Sequence, residues 1–415
     1  MTFMRAVDDF RRRLLRFDAG TEAILAAAKT CPDDPMVLLC AATLHLYGQT
    51  APDEAAAARL LDAAEKSGAG QCAAHFLHAL RCWHARRHDD AARALETATQ
   101  QDPDDLLAAK VCEFLYYILG QQHCGARYRA HIDRIAARHA EDPDVLAMQS
   151  FAHELCGDFA SASALAEKSL RIEARNPWAQ HTLSHVAIRL GDVDAGERRL
   201  RAFLPVAATC SRPVHSHTAW HVAMFDLERL DHARALVLLR SDIWGFVPDM
   251  VGEQIDAIAL LWRLEMAGGD AGAAWADIAD RVEARCGEAY MPFLSAHHAY
   301  ALARAGRRSA LQALEETVAS RAHEPVWRHP GQAIVRAAVA FADERWSDAA
   351  SLLDPAMPQM TAIGGSDAQD DLFRQMYFVA LARSARRADA RSFLASNAAP
   401  GRKPTPLAAH FLGLL

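Results

Sequence analysis

The chain has 415 residues, 51% of them hydrophobic and 23% charged, and its 45 Lys and Arg against 52 Asp and Glu give a formal net charge of −7. That length suits two or three ordinary domains or one extended repeat array. The mixed, mildly acidic balance, with no basic stripe interleaved with aromatics, argues against a nucleic-acid partner. Arg5, Asp8 and Asp9 precede any apolar stretch, so no signal peptide is expected, and Arg11–Arg12–Arg13 reads as a solvated face of the first helix. No apolar run approaches the roughly 18 residues of a membrane helix. The nine cysteines are odd in number and lack a paired CxxC, so many of them read as small buried hydrophobes in a reducing cytoplasm.

Alanine dominates and long β-branched runs are absent, which predicts helices. A helix–turn–helix phrase repeats along the chain. Its turns fall near Gly48–Pro52, Arg87–Asp90, Gly120–Gly125, Gly157–Phe159, Gly191–Asp194, Arg229–Asp231, Gly268–Gly272, Gly306–Arg308, Arg345–Ser347 and Arg387–Asp389. Small residues follow several turns, as at Ala160–Ala162, Ala233–Ala235 and Ala349–Ala350, and permit close helix approach. Asp34–Pro35, Asp102–Pro103, Asp142–Pro143 and Asn176–Pro177 read as a capping residue followed by Pro in the first helical turn. Pro143 and Pro177 stand 34 residues apart, a spacing that signals a helical-repeat solenoid.

The sequence thus predicts an all-α, tightly curved α-α superhelix of tetratricopeptide-repeat type. It would run as a single array of about ten hairpins over residues 1–397. The stretch Leu204–Pro213 reads as a connector or rim. Residues 355–369, with Pro355, Pro358, Gly364 and Gly365, read as too rich in breakers for helix: a surface turn, or a lid loop. Residues 398–415 read as a linker and an apolar tail, His410–Leu415, docking on the final hairpin.

Asn176 to Leu230 carries two histidine pairs at i,i+4 spacing, His181/His185 and His217/His221, so each pair shares one helix face. In a repeat array the pairs would be neighbours on the concave wall, with Trp178 and Trp220 as aromatic surfaces. His215 stands at the start of the second pair's helix, His297–His298 opens a later repeat, and Phe151, His153 and Glu154 occupy the corresponding place upstream. Three readings stay open. The histidines cross-bond in a packed core. Or they hold a divalent metal such as zinc, against which stands the lack of the HExxH glutamate in HTLSH and HTAWH. Or, with Glu154 or an aspartate, they bind an anionic ligand or perform acid–base chemistry near neutral pH. No GxSxG, GxGxxG or GxxxxGK[ST] motif is present, which excludes the standard α/β-hydrolase and nucleotide folds.

Two phrases, Trp178-Ala179-Gln180-His181-Thr182-Leu183-Ser184-His185-Val186 and His217-Thr218-Ala219-Trp220-His221-Val222-Ala223-Met224, resemble those of the tetratricopeptide repeat protein 38 family. So do Asp105-Leu106-Leu107-Ala108 with Tyr117 and Gly120, and Ser366-Asp367-Ala368-Gln369-Asp370-Asp371-Leu372-Phe373 near the C-terminus. The chain departs from the family at Ile188–Arg189, where a Glu-Met pair is usual, at Thr218, where Asn is frequent, and at Asp367, where a His is expected. The resemblance implies a fold and a set of residues but names no reaction. It adds Gln369 and Asp371 to the candidate wall, with Asp371 and Glu154 as the carboxylates that orient an imidazole or accept a proton. Asp371 also reads as a plain helix cap.

The preferred expectation is a small-molecule site, enzymatic or not, with non-redox histidine acid–base chemistry: hydrolysis, elimination or isomerisation. His181, His185, His217, His221, Glu154 and Asp371 are its candidate catalytic residues, and Trp178, Trp220, His297, His298 and Gln369 its ligand-binding residues. No metal ligands are assigned; absence of a cofactor is the preferred expectation, with a divalent metal such as zinc as the alternative. The competing expectation is a scaffold that binds a peptide along the concave groove.

Overall fold

The computed structural model describes residues 3–397 and 401–415, without the side chains of residues 3, 4, 71 and 72. Cys72 and residues 398–400 of the expected linker therefore fall outside the description. Among the described residues the fold is all-α, with 24 α-helices, no strand, and one isolated bridge between Asp18 and Cys210. No helix among them is long and apolar enough to cross a membrane. The chain divides into two compact units, Met1–Thr182 with Pro205–Val214, and Leu183–Leu204 with His215–Leu415.

The first unit contains α1 (Phe3–Arg16), α2 (Ala23–Thr30), α3 (Pro35–Gly48), α4 (Ala51–Lys66), α5 (Ala69–Cys72), α6 (Ala74–His84), α7 (His88–Gln101), α8 (Leu106–Leu119), α9 (Gly125–Ala136), α10 (Pro143–Leu155) and α11 (Phe159–Ile172). Helices α12 (Pro177–Leu190), α13 (Val193–Ala207) and α14 (Arg212–Glu228) carry the chain between the units, and α13 runs through Pro205 where a connector is expected. The second unit continues with α15 (His232–Leu238), α16 (Val251–Met266), α17 (Ala274–Val282), α18 (Pro292–Arg304), α19 (Arg308–Ser320), α20 (Gln332–Ala342), α21 (Trp346–Leu353), α22 (Asp367–Arg383), α23 (Arg387–Asn397) and α24 (Pro406–Leu412).

Capping chemistry sets several helix starts. Asp34 accepts from the Val37 amide at 2.9 Å, Asp142 from Asp144 at 2.9 Å, and the Asn176 carbonyl from Trp178 and Ala179, both at 3.0 Å. Each satisfies amides that the helix leaves without partners, contributing about 1 kcal/mol. Asp102–Pro103 behaves differently. Asp105 takes the cap, accepting from Ala108 at 3.1 Å, and α8 starts three residues after Pro103.

The turns demand a left-handed residue. Gly157 (φ 76°), Gly191 (φ 67°) and Gly306 (φ 69°) supply it, but Arg86, Leu230, Glu344 and Ala385 adopt φ of 57–61° in equivalent turns. Consecutive helices pack as hairpins, including α3 with α4, α10 with α11, α18 with α19, α20 with α21 and α22 with α23. Of the predicted small residues, Ala162, Ala235, Ala349 and Ala350 are fully buried, whereas Ala160 and Ala233 are exposed.

Within the second unit α22 packs on α16, far back in the sequence. The interior there centres on Trp262, whose ring stacks on Tyr300 at 3.7 Å between centroids. Residues 355–369 are largely ordered structure: a 3₁₀ turn at Met357–Ile363 with Met360 and Ile363 buried, then Gly364–Gly365 and the first turn of α22. Gly365 has φ 94° and lies so close to Phe293 that a Cβ would sit 2.9 Å from its ring. The tail crosses several hairpins. Thr405 donates to Glu228 at 2.6 Å, the Lys403 amide to the Leu190 carbonyl at 2.8 Å, Phe411 packs on Phe378, and Arg391 on α23 holds the Leu415 carbonyl.

Candidate functional site

Four helices of the second unit supply the chemistry: the C-terminal half of α12 (His185), α14 (His217, Trp220, His221), α16 (Asp256, Arg263) and α22 (Asp367, Asp370). Spacings of three, four and seven residues put the named side chains of each helix on one face.

His185 and His217 each meet a carboxylate through the same ring nitrogen. His185 Nδ1 lies 2.9 Å from Asp367 Oδ1, and His217 Nδ1 lies 3.0 Å from Asp256 Oδ1. A carboxylate only accepts, so Nδ1–H donates in both. His221 lies between the dyads, with ring centroids 4.9 Å from His185 and 4.7 Å from His217. Trp220 stacks on His217 with planes 9° apart and meets His221 edge-on. His221 is 1% exposed. Burial pushes its pKa well below the ordinary value, and the neighbouring His217, His185 and Arg263 push it further, so it is neutral at pH 7.

Arg263 is equally enclosed, at 5% exposure. Its Nη2 donates to the Ala368 carbonyl at 2.6 Å, and its guanidinium lies over the Trp220 ring at 5.4 Å. Asp367 also takes an ion pair from Arg189, Nε to Oδ2 3.9 Å. Asp370, one turn along α22, is completely buried, and that burial raises its carboxyl pKa well above the carboxylate range.

The remaining candidates fall as follows. In the first unit, Glu154 is 1% exposed on α10, and His181 stacks on Trp178 at 4.2 Å with planes 12° apart. Trp178 is fixed by donation to Glu113 at 2.8 Å, and Lys110 lies over its ring at 4.8 Å. Trp178 is thus an aromatic surface for a histidine, as Trp220 is in the second unit. His181 precedes His185 by one turn of α12. On α18, His297 Nδ1–H donates to the Phe293 carbonyl at 2.8 Å, and burial takes its pKa down to about 3. His298 beside it is also buried and held well below the ordinary value, first by burial and then by Arg285. His215 pairs with Asp242 at 3.0 Å.

Gln369 closes the capping box of α22, accepting from the Ser366 amide at 3.1 Å, and Asp371 accepts from Gln375 at 2.7 Å. Helix α22 therefore begins at Asp367, with Ser366 and not Asp371 as its cap. Asp367 and Asp370 share the buried face. The residues that sequence reasoning passed over are Asp256 and Arg263 as well as Asp367 and Asp370 as inward-facing groups. One local signal existed for the first two: charged residues inside the nearly continuous apolar run of α16 are buried only when they have work to do.

Chemically, two carboxylate-tethered imidazoles beside a third, neutral one can move protons or ligate a metal. Ring nitrogens of His217 and His221, and likewise His185 and Asp367, lie within 4.8 Å of each other. Two imidazoles on one tetrahedral ion, with nitrogens about 2.0–2.1 Å from it, have centroids roughly 5 Å apart, and both His221 pairs match that separation. No protein-family model matches the chain.

Proposed function

We propose that the His185–His217–His221 interior of the second unit binds a small molecule and acts on it by histidine acid–base chemistry, in a hydrolysis, elimination or isomerisation. The observation that carries this reading is the pair of His–Asp dyads. Each dyad holds and orients a ring through Nδ1, and the carboxylate stabilises the imidazolium once that ring takes a proton. Neutral His221 between them is placed to donate or accept in the same step. A groove for an extended peptide would show its reading side chains to water, whereas His185, His221 and Asp367 are all buried.

We read the hairpins as a tetratricopeptide-type superhelix related to the protein 38 family. Two departures from that family support this together: Arg189 and Asp367 pair with each other, as coupled replacements would. A second reading is favoured by the imidazole spacing: His217 and His221 hold a divalent metal, which would polarise a substrate or its attacking water, with Asp256 orienting the His217 ring.

The test is a thermal-shift screen of a metabolite library against the wild type, His185→Asn and His217→Asn. Asparagine keeps a donor for the aspartate and removes Nε2. Compounds that stabilise the wild type should lose at least tenfold in affinity in both variants. No stabilising compound, or equal stabilisation in the variants, would sink the reading.

A further inference from the structure

The second unit encloses polar atoms that its own fold leaves unused. Among the described residues, Arg263 Nη1, Trp220 Nε1, His297 Nε2 and both carboxyl oxygens of Asp370 have no hydrogen-bond partner. All four residues are at most 5% exposed. Buried polar groups are nearly always satisfied, and each that is not costs the fold its desolvation, so several in one interior point to a ligand.

Arg263 is the one among them with a fixed charge. Burial lowers its pKa only to about 10, so it is a cation at pH 7. Its orientation is set twice, by the Ala368 carbonyl on Nη2 and by the Trp220 face beneath it, which leaves Nη1 as a pre-aimed donor. The guanidinium's charge acts on both His221 of α14 and His297 of α18. No carboxylate lies within ion-pair distance of it among the described residues. Asp371 and then Asp370 act on its charge through space, and burial drives Asp370 toward its protonated form.

We propose that Arg263 binds the anionic group, a carboxylate or a phosphate, of the molecule that occupies this interior, so that the substrate class is a small organic anion. The assignment rests on the reading of the interior as a small-molecule site and adds to it the charge of the ligand. Guanidinium recognises both oxyanions through directed N–H donation, and here it does so without water to compete. Trp220 holds the guanidinium in place.

The experiment uses the full chain at constant ionic strength in chloride, titrated with inorganic phosphate and separately with acetate. Binding is read by calorimetry and by the shift in melting temperature. At least one anion should bind saturably. Arg263→Met should abolish that binding, and Arg263→Lys should weaken it at least tenfold because the planar fork is lost. Whether phosphate or acetate binds names the anionic group. Absence of saturable binding by either anion in the wild type overturns the proposal, as does equal affinity in Arg263→Met. If Arg263→Met does not fold, unchanged affinity in Arg263→Lys overturns it. None of these outcomes requires turnover, so they stand apart from the library screen of the His185 and His217 variants.

Discussion

Acidification should unfold the second unit from its interior outward, and the size of the effect follows from its buried histidines. His221, His297 and His298 are all held neutral by burial, with His297 down to about 3. The unfolded chain returns each to an ordinary value near 6.5. Below that pH the unfolded state binds protons that the folded state refuses, so stability is full above 6.5 and falls as the pH drops. For His297 alone the displacement corresponds to roughly 5 kcal/mol by pH 3, of which roughly 2 kcal/mol is gone at pH 5. His221 and His298 act in the same direction. Asp370 acts against them, because its raised carboxyl favours the folded state as pH falls. The net effect still takes a large share of a domain's 5–15 kcal/mol. Urea unfolding followed by tryptophan fluorescence at pH 7.5, 6.5 and 5.5 measures it, since Trp262 lies 6.1 Å from His297 between ring centroids. The midpoint should fall steeply below pH 6.5, and His297→Asn should show a shallower slope by about 1.4 kcal/mol per pH unit. A midpoint constant between pH 7.5 and 5.5, or parallel slopes in wild type and variant, would refute the reasoning.

The left-handed turns give a second prediction. Exposed Ala385 holds φ 61°, so Ala385→Gly should stabilise the protein by about 0.5–1 kcal/mol, the relief of the Cβ clash exceeding the entropy cost; an unchanged or lower melting temperature would contradict this. The metal reading predicts that cobalt added to the chelator-treated protein gives a visible absorption at one ion per chain, lost in His221→Ala; no absorption up to several equivalents would dismiss it.

Much of the helical grammar was legible because it is local. Asp34, Asp142 and Asn176 cap the helices that begin at the prolines after them, and the i,i+4 histidines fall on single faces. Asp102–Pro103 misled because a second aspartate, Asp105, stood better placed to receive the α8 amides. The left-handed turns at Arg86, Leu230 and Ala385 gave no glycine signal. The partners of the histidines were not legible, since Asp256 and Asp367 come from 39 and 182 residues away. The partner of Asp371 follows from helical phase. The cap at Ser366 starts α22 early, and each residue turns the helix by about 100°, so Asp367 and Asp370 face inward while Asp371 meets Gln375.

The most direct test of the account is the tautomeric state of His185 and His217, read from long-range proton–nitrogen correlation spectra of protein with ¹⁵N-labelled histidine. Both should carry a proton on Nδ1 at pH 7.5, and a stabilising ligand from the library should perturb the ring resonances of both. Rings with no proton on Nδ1, or ring resonances indifferent to such a ligand, would contradict the assignment of the two dyads as working groups of the site.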